Sequence, residues 1–200
     1  MYRLPDLILD LIDGRFGGPG AVVTPKDFLE LARRDAIDQA LCRMARTGTL
    51  ERIGRGLYHF PRVDPSRGIS LPPDPDLVAA AIGRQTGSAV VPTSAPLSRQ
   101  LGLSAQNPAR PAYETTGRSR VVRVGKQTIR LKRVSARRIP NATPFVVRAL
   151  GVLREAGPEP GEATIAAVRA LLTAEERTEL LKHARYDTSW LAAAAMRVAG

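Results

Sequence analysis

Apolar residues recur at helical spacing at Leu4, Leu7, Ile8 and Leu11, so "LPDLILDLID" predicts a first helix, which "RFGGPGAV" then breaks. "VVTPKDFLELA" predicts a second helix. Thr24 suits the N-cap, Pro25 the first helical position, and Asp27 the positive end of the helix. After a short turn at Arg33-Arg34, "DAIDQALCRMARTG" predicts a third helix. Asp35 caps it, Ile37, Leu41 and Met44 face inward, and Gly48 stops it. Asp38, Gln39, Arg43 and Arg46 are left pointing out. "TLERI" and "GLYHF" follow as two short strands around Gly54-Arg55-Gly56, whose glycines permit a tight turn with positive φ. Ile53, Leu57 and either Tyr58 or Phe60 would pin this hairpin onto the helices. Three helices followed by a two-stranded hairpin predict a winged helix-turn-helix over residues 1–62.

Four prolines within "VDPSRGISLPPDPD" predict a linker at 63–76. Beyond it, "PDLVAAAIGRQTG" is helical, "SAVVPTS" a short strand and loop, and "APLSRQLGL" a helix capped by Ser94. "PAYETTG", "RSRVVRVG" and "KQTIRLKRVS" predict a small antiparallel sheet within 112–139, with Gly125-Lys126 as a hairpin turn. Along its last strand Ile129 and Leu131 point one way, and Thr128, Arg130 and Lys132 the other. Helices fill 143–199. Thr143-Pro144 is a cap and first-turn proline, "GPEPG" separates two helices, and Thr173 with Glu176 forms a capping box. Trp190 and Leu191 would anchor the last helix. The fold class expected is α+β: a winged helix-turn-helix, a middle α/β segment with a basic sheet, and C-terminal helices, with residues 77–200 as the second domain.

Charge sharpens this picture. The net charge is +11. Residues 1–62 hold ten Lys/Arg against eight Asp/Glu, residues 63–141 thirteen against four, and residues 142–200 seven against seven. From Arg118 to Arg138 there are nine Lys/Arg and no Asp/Glu. A sheet with one apolar and one basic face is a polyanion surface, and nucleic acid is the commonest polyanion. Its cations are Arg118, Arg120, Arg123, Lys126, Arg130, Lys132, Arg133, Arg137 and Arg138. On the N-terminal segment the candidate DNA contacts are Thr24, Lys26, Arg34, Asp38, Gln39, Arg43 and Arg46, with Arg52, Arg55 and Arg62 on the exposed edge where a phosphate could lie.

Constellations for catalysis are sparse. His59 and His183 lie far apart in sequence and read as surface or half-buried residues. Asp74-Pro75-Asp76 fits an N-cap better than a Mg²⁺ grip. Glu175, Glu176 and Glu179 sit on a helix surface. "GRGLYHF" lacks the Gly-Lys-Ser/Thr ending of a phosphate-binding loop. The single cysteine, Cys42, reads as a small half-buried thiol and fits a reducing cytoplasm. No catalytic residue, metal or cofactor is therefore assigned. Aspartates within the apolar pattern of the N-terminus argue against a signal peptide, and no apolar run is long enough to span a bilayer.

"AIDQALCRMARTGTLERIGRGLYHFP", followed by "VVPTSAPLSRQLGLSAQNPARPAYETTGRSRVVRVGKQTIRLKRVSARRI", resembles the AbiEi family of bacterial antitoxins and its short relatives. The resemblance is strongest at 36–61 and 88–140. It implies a winged helix that binds inverted repeats in the protein's own promoter and represses it, with Asp38, Gln39 and Arg43 facing the major groove and Arg52 and Arg55 the backbone. It further implies that the remainder, including the strands from Arg123 to Lys132, counteracts a nucleotidyltransferase toxin without a stable complex. The expectation is an antitoxin and autorepressor of a type IV toxin–antitoxin pair, and not an enzyme. The alternatives are an RNA-binding protein working through the basic sheet, a stand-alone regulator without a toxin, and a nuclease or nucleotidyltransferase, which the missing carboxylate cluster disfavours.

Overall fold

Ile8 and Ile12, one helical turn apart and both fully buried, orient the first helix of the computed structural model, which describes residues 3–103 and 111–200. Ser104, Ala105 and Gln106 of the "LGLSAQ" stretch lie outside the described residues. The chain is mixed α/β, of the α+β kind, and divides into two compact units. One comprises residues 1–90 and 119–131, the other 91–118 and 132–200.

In the first unit α1 (Leu4–Phe16) ends at Gly17, whose φ of 80° closes the helix in the left-handed conformation. A short strand β1 (Val22–Val23) follows. The second helix expected from "TPKDFLELA" is instead a four-residue 3-10 turn, Pro25–Phe28. Its first bond runs i→i+3, from Asp27 N–H to the Thr24 carbonyl, and a further i→i+3 turn, from Leu31 N–H to the Phe28 carbonyl, follows it. The tight turn seats Phe28 in the core at 0% exposure while Leu29 stays exposed. α2 (Arg34–Arg46) buries Ile37, Ala40, Leu41 and Met44. Its N-cap is Arg33 rather than Asp35, which lies in the first turn and favours the positive end of the helix dipole instead.

Strands β2 (Glu51–Gly54) and β3 (Leu57–His59) form the expected hairpin. Pairing of β1 with β3 was not legible in the sequence, and it makes a three-stranded sheet in the order β1-β3-β2. Leu57 and Tyr58 are buried, and Phe60 packs on the core formed by Ile8, Ile12, Phe28, Ile37, Leu41 and Leu50. Of the two turn glycines only Gly56 has a positive φ, 65°.

The stretch 63–76 is not an open linker. Strands β4 (Arg62–Asp64) and β5 (Ile69–Leu71) form an antiparallel hairpin, with Gly68 at a positive φ in its turn. Asp64 accepts hydrogen bonds from the backbone and hydroxyl of Ser66, and these lower its pKa. Asp74 then caps α3 (Pro75–Thr86) by accepting from the Asp76 N–H at 2.8 Å. α3 belongs to the first unit and is fastened there by Arg84. That guanidinium meets the Asp27 carboxylate at 2.9 Å, donates to the Val22 carbonyl at 2.8 Å, and lies 4.9 Å from the Phe16 ring centroid. The first unit therefore runs past residue 62, the boundary that the helix and strand patterns suggested.

Strand β6 (Val90–Pro92) precedes α4 (Ala95–Gln100). Ser94 stands at the N-cap of α4 but donates its hydroxyl to Glu155 Oε2, as Ser98 also does. The three strands expected in 112–139 are present as β7 (Ala112–Thr115), β8 (Arg120–Val124) and β9 (Gln127–Arg133). β8 and β9 pair antiparallel about a turn at Gly125-Lys126, with Val122 opposite Ile129 and Val121 opposite Arg130.

In the second unit α5 (Pro144–Ala156), α6 (Glu162–Leu171), α7 (Ala174–Ala184) and α8 (Ser189–Ala199) surround a core that includes Val146, Leu150, Leu153, Leu180 and Leu191. Thr143 caps α5 through the Val146 N–H. Thr173 and Glu176 form the expected reciprocal capping box, at 3.0 and 3.2 Å. Trp190 packs against the core beside the fully buried Leu191. No helix among the described residues is long and apolar enough to cross a membrane.

Candidate nucleic-acid interface

Burial on one side of α2 dictates what its other side presents. With Ile37, Leu41 and Met44 inside, Gln39, Arg43 and Arg46 are exposed, and Asp38 is half-buried. Gln39 and Arg43 are four residues apart, so they lie one turn apart on one face. Arg34 Nε contacts Asp38 Oδ2 at 2.9 Å, an exposed pair along the helix that holds the Asp38 carboxylate back. Any base contact by Asp38 would have to break or share this pair. Lys26, Arg52, Arg55 and Arg62 are exposed, as the sequence suggested. Thr24 is not: it is 0% exposed, and its N–H donates to Asp27 Oδ2 at 2.9 Å. Its place before the 3-10 turn draws it into the core, and it is removed from the contact set.

The β2–β3 turn owes its shape to a residue that the sequence did not flag. Gln85, on α3, donates from Nε2 to the carbonyls of Arg55 (2.8 Å) and Gly56 (3.2 Å). A Cβ at Gly56 would stand 2.6 Å from that nitrogen. The exposed Arg55 guanidinium thus projects from a turn clamped on its inner side. Nothing local to "GRG" could reveal a partner thirty positions away.

His59 also departs from expectation. It is 1% exposed, and its Nδ1 lies 3.2 Å from Glu51 Oε2, while Glu51 Oε1 accepts from the Ser70 hydroxyl at 3.0 Å. The carboxylate sits between serine and histidine, so the histidine cannot accept the serine proton and the trio is no nucleophilic triad. It ties β2, β3 and β5 together. His183 is half-buried, 4.0 Å from Glu179 on the same helix. Among the described residues no group of three His, Cys, Asp or Glu side chains is arranged to hold a metal ion.

Tyr58, beside the interface and 5% exposed, has its pKa raised, chiefly by burial, with Arg52 opposing the shift. Burial favours the neutral phenol in the folded state. The resulting stabilisation is full below the unfolded tyrosine pKa of about 10 and is lost as pH rises through the folded value. Tyr58→Phe is therefore expected to flatten the alkaline loss of stability, measured by urea unfolding between about pH 9 and 11. An unchanged alkaline slope would remove this role.

The basic set at 118–138 is divided by the structure. Val124, Ile129 and Leu131 are buried on one face of the β8–β9 hairpin, and Arg123 and Arg130 are exposed on the other. Arg120 pairs opposite Leu131 and is half-buried, so it faces away from the basic side. Lys126 is exposed in the turn. Residues 119–131 belong to the first unit, not to the second domain assigned from the sequence. Arg118, Lys132, Arg133, Arg137 and Arg138 belong to the second unit and are exposed there. Arg138 pairs with Glu114 at 3.1 Å.

These features define an α+β protein whose first unit displays exposed cations on a helix and three β-hairpins. Residues 11–180 match the family described as "Family of unknown function (DUF6088)", and the chain belongs to that family. A comparison with curated proteins gives no match. Among solved structures, the chain is similar to "Crystal structure of RV2827C protein from Mycobacterium tuberculosis" at 15% identity, over 96% of this chain and 74% of that one. The TM-score between the two is 0.42.

Proposed function

We propose that this protein is a DNA-binding transcriptional repressor of the winged helix-turn-helix type that acts from the bacterial cytoplasm on its own promoter. The observation that carries the reading is the exposed face of α2, where Gln39 and Arg43 stand one turn apart above a fully buried apolar face, beside a clamped turn bearing Arg55. A rigid helix with long polar side chains is what major-groove readout requires. Gln39 suits adenine and Arg43 guanine, while Arg52 and Arg55 suit phosphates. The antitoxin role against a nucleotidyltransferase toxin, without a stable complex, rests on the AbiEi resemblance alone.

The test is a binding titration on the region upstream of the protein's own start codon, with a scrambled duplex beside it. Arg43→Ala is expected to cost about 1–3 kcal/mol on the cognate site and to relax specificity there. Equal weakening on both duplexes would show that Arg43 reads no base. Arg55→Ala is expected to weaken all duplexes alike and to reduce the salt slope by about 1. An unchanged slope would remove Arg55 from the phosphate contacts. The exposed Arg123 and Arg130 also favour a second reading, an RNA-binding protein, and tRNA competing better than promoter DNA at fixed salt would select it.

A further inference from the structure

The β8–β9 hairpin is distant in sequence from α2 and the β2–β3 turn, yet it belongs to the same compact unit, where β8 packs beside β2. Its inner face is apolar, with Val124, Ile129 and Leu131 all buried. Its outer face carries Arg123 and Arg130 on neighbouring rungs, since Val121 opposes Arg130 and Arg123 opposes Thr128. Such diagonal neighbours lie roughly 7–8 Å apart. Lys126 stands in the connecting turn. Residues 119–131 contain four Lys/Arg and no Asp/Glu. On the adjoining strand β2 the one carboxylate, Glu51, is held by His59 and Ser70. Like charges at this spacing repel one another, and a polyanion laid across them relieves that repulsion.

We infer that the β8–β9 hairpin is a second phosphate-binding element for the same DNA duplex that α2 and the β2–β3 turn engage, with Arg123, Lys126 and Arg130 as its contacts. This rests on the DNA-binding reading above and assigns to DNA affinity a hairpin that the AbiEi resemblance assigns to the antitoxin half. The carrying observation is the shared unit: cations of β8 and β9 are built onto the body that carries Arg52 and Arg55. The contact is sequence-independent, because cations on a strand face meet phosphates and carry no base code. The hairpin therefore adds affinity and salt dependence, and α2 retains the specificity.

The experiment uses the full chain carrying Arg123→Gln, Lys126→Gln and Arg130→Gln together. Binding to the upstream duplex and to a scrambled duplex is followed by fluorescence anisotropy between 50 and 200 mM salt. The expected result is a salt slope lower by about 2–3, at roughly 0.9 per lost phosphate contact, with affinity falling alike on both duplexes. Arg123→Lys with Arg130→Lys is expected to keep the slope, which separates charge from folding. An unchanged slope in the glutamine variant, while Arg55→Ala still lowers it, would overturn the inference and leave the DNA-binding reading standing. Loss of tRNA binding with duplex binding intact would also overturn it. If the parent chain binds no duplex at all, both readings fall together.

Discussion

Phe28→Ala is expected to destabilise the protein by about 3–5 kcal/mol and to weaken binding to every duplex, cognate or not. Phe28 is fully buried among Ile8, Ile12, Ile37, Leu41 and Leu50. Truncating its ring removes a large buried apolar surface and leaves a cavity that the surrounding helices fill only in part. Because ΔG of unfolding for a domain is about 5–15 kcal/mol, this loss is a large share of the whole. α2 and the β2–β3 hairpin pack on that cluster, so the proposed binding surface loses its support without losing any of its proposed contact residues. Chemical denaturation and anisotropy on the same preparation check both halves. A fall in affinity without a fall in unfolding midpoint would show that Phe28 matters through something other than packing. Arg43→Ala supplies the contrast, since an exposed change of that kind is expected to leave stability within about 0.5 kcal/mol.

Arg154→Ala is expected to cost about 3 kcal/mol in the second unit. The Arg154 side chain is 11% exposed and meets Asp187 Oδ2 through Nη2 at 2.6 Å and through Nε at 3.2 Å. It also donates to the carbonyls of Arg138 at 3.2 Å and Arg137 at 3.4 Å. Removing the guanidinium strands a largely buried carboxylate and takes a donor from two carbonyls. The value lies at the low end for broken buried pairs because the Asp187 side chain keeps 22% of its exposure. Urea unfolding measures it. A loss below about 1 kcal/mol, the scale of an exposed pair such as Arg34–Asp38, would show that water replaces the guanidinium without penalty. The DNA binding proposed for Arg43 and Arg55 is not expected to depend on this substitution when the protein remains folded at the assay temperature.

Features that depend on a few neighbouring residues were legible. The inward stripe of α2, the cap at Thr143, the capping box at Thr173 and Glu176, and the Gly125-Lys126 turn all follow from local spacing or backbone chemistry. The second helix misled because Thr24, Pro25 and Asp27 signal a helix start equally well for a single 3-10 turn. What stopped it was the core's demand for Phe28, which lies outside any local window. His59 misled in the same way: histidine on a short strand reads as half-exposed, and its 1% exposure beside Glu51, which Ser70 of β5 also engages, is a product of the folded unit.

The candidate interface was half legible. Gln39, Arg43, Arg52 and Arg55 follow from helix periodicity and the glycine turn, because a chain that buries one side of a short element must expose the other. Gln85 and the Arg84–Asp27 clasp did not follow, since they join residues about thirty and fifty-seven positions apart. The sequence alone determined where charge is concentrated, which face of α2 is polar and where α5 and α7 begin. Tertiary structure decided that α3 clamps the β2–β3 turn, that Thr24 is withdrawn from solvent, and that the basic β8–β9 hairpin shares a unit with α2. Periodicity and capping are set by adjacent bonds, whereas strand pairing and side-chain clasps depend on which distant surfaces the packed core brings together.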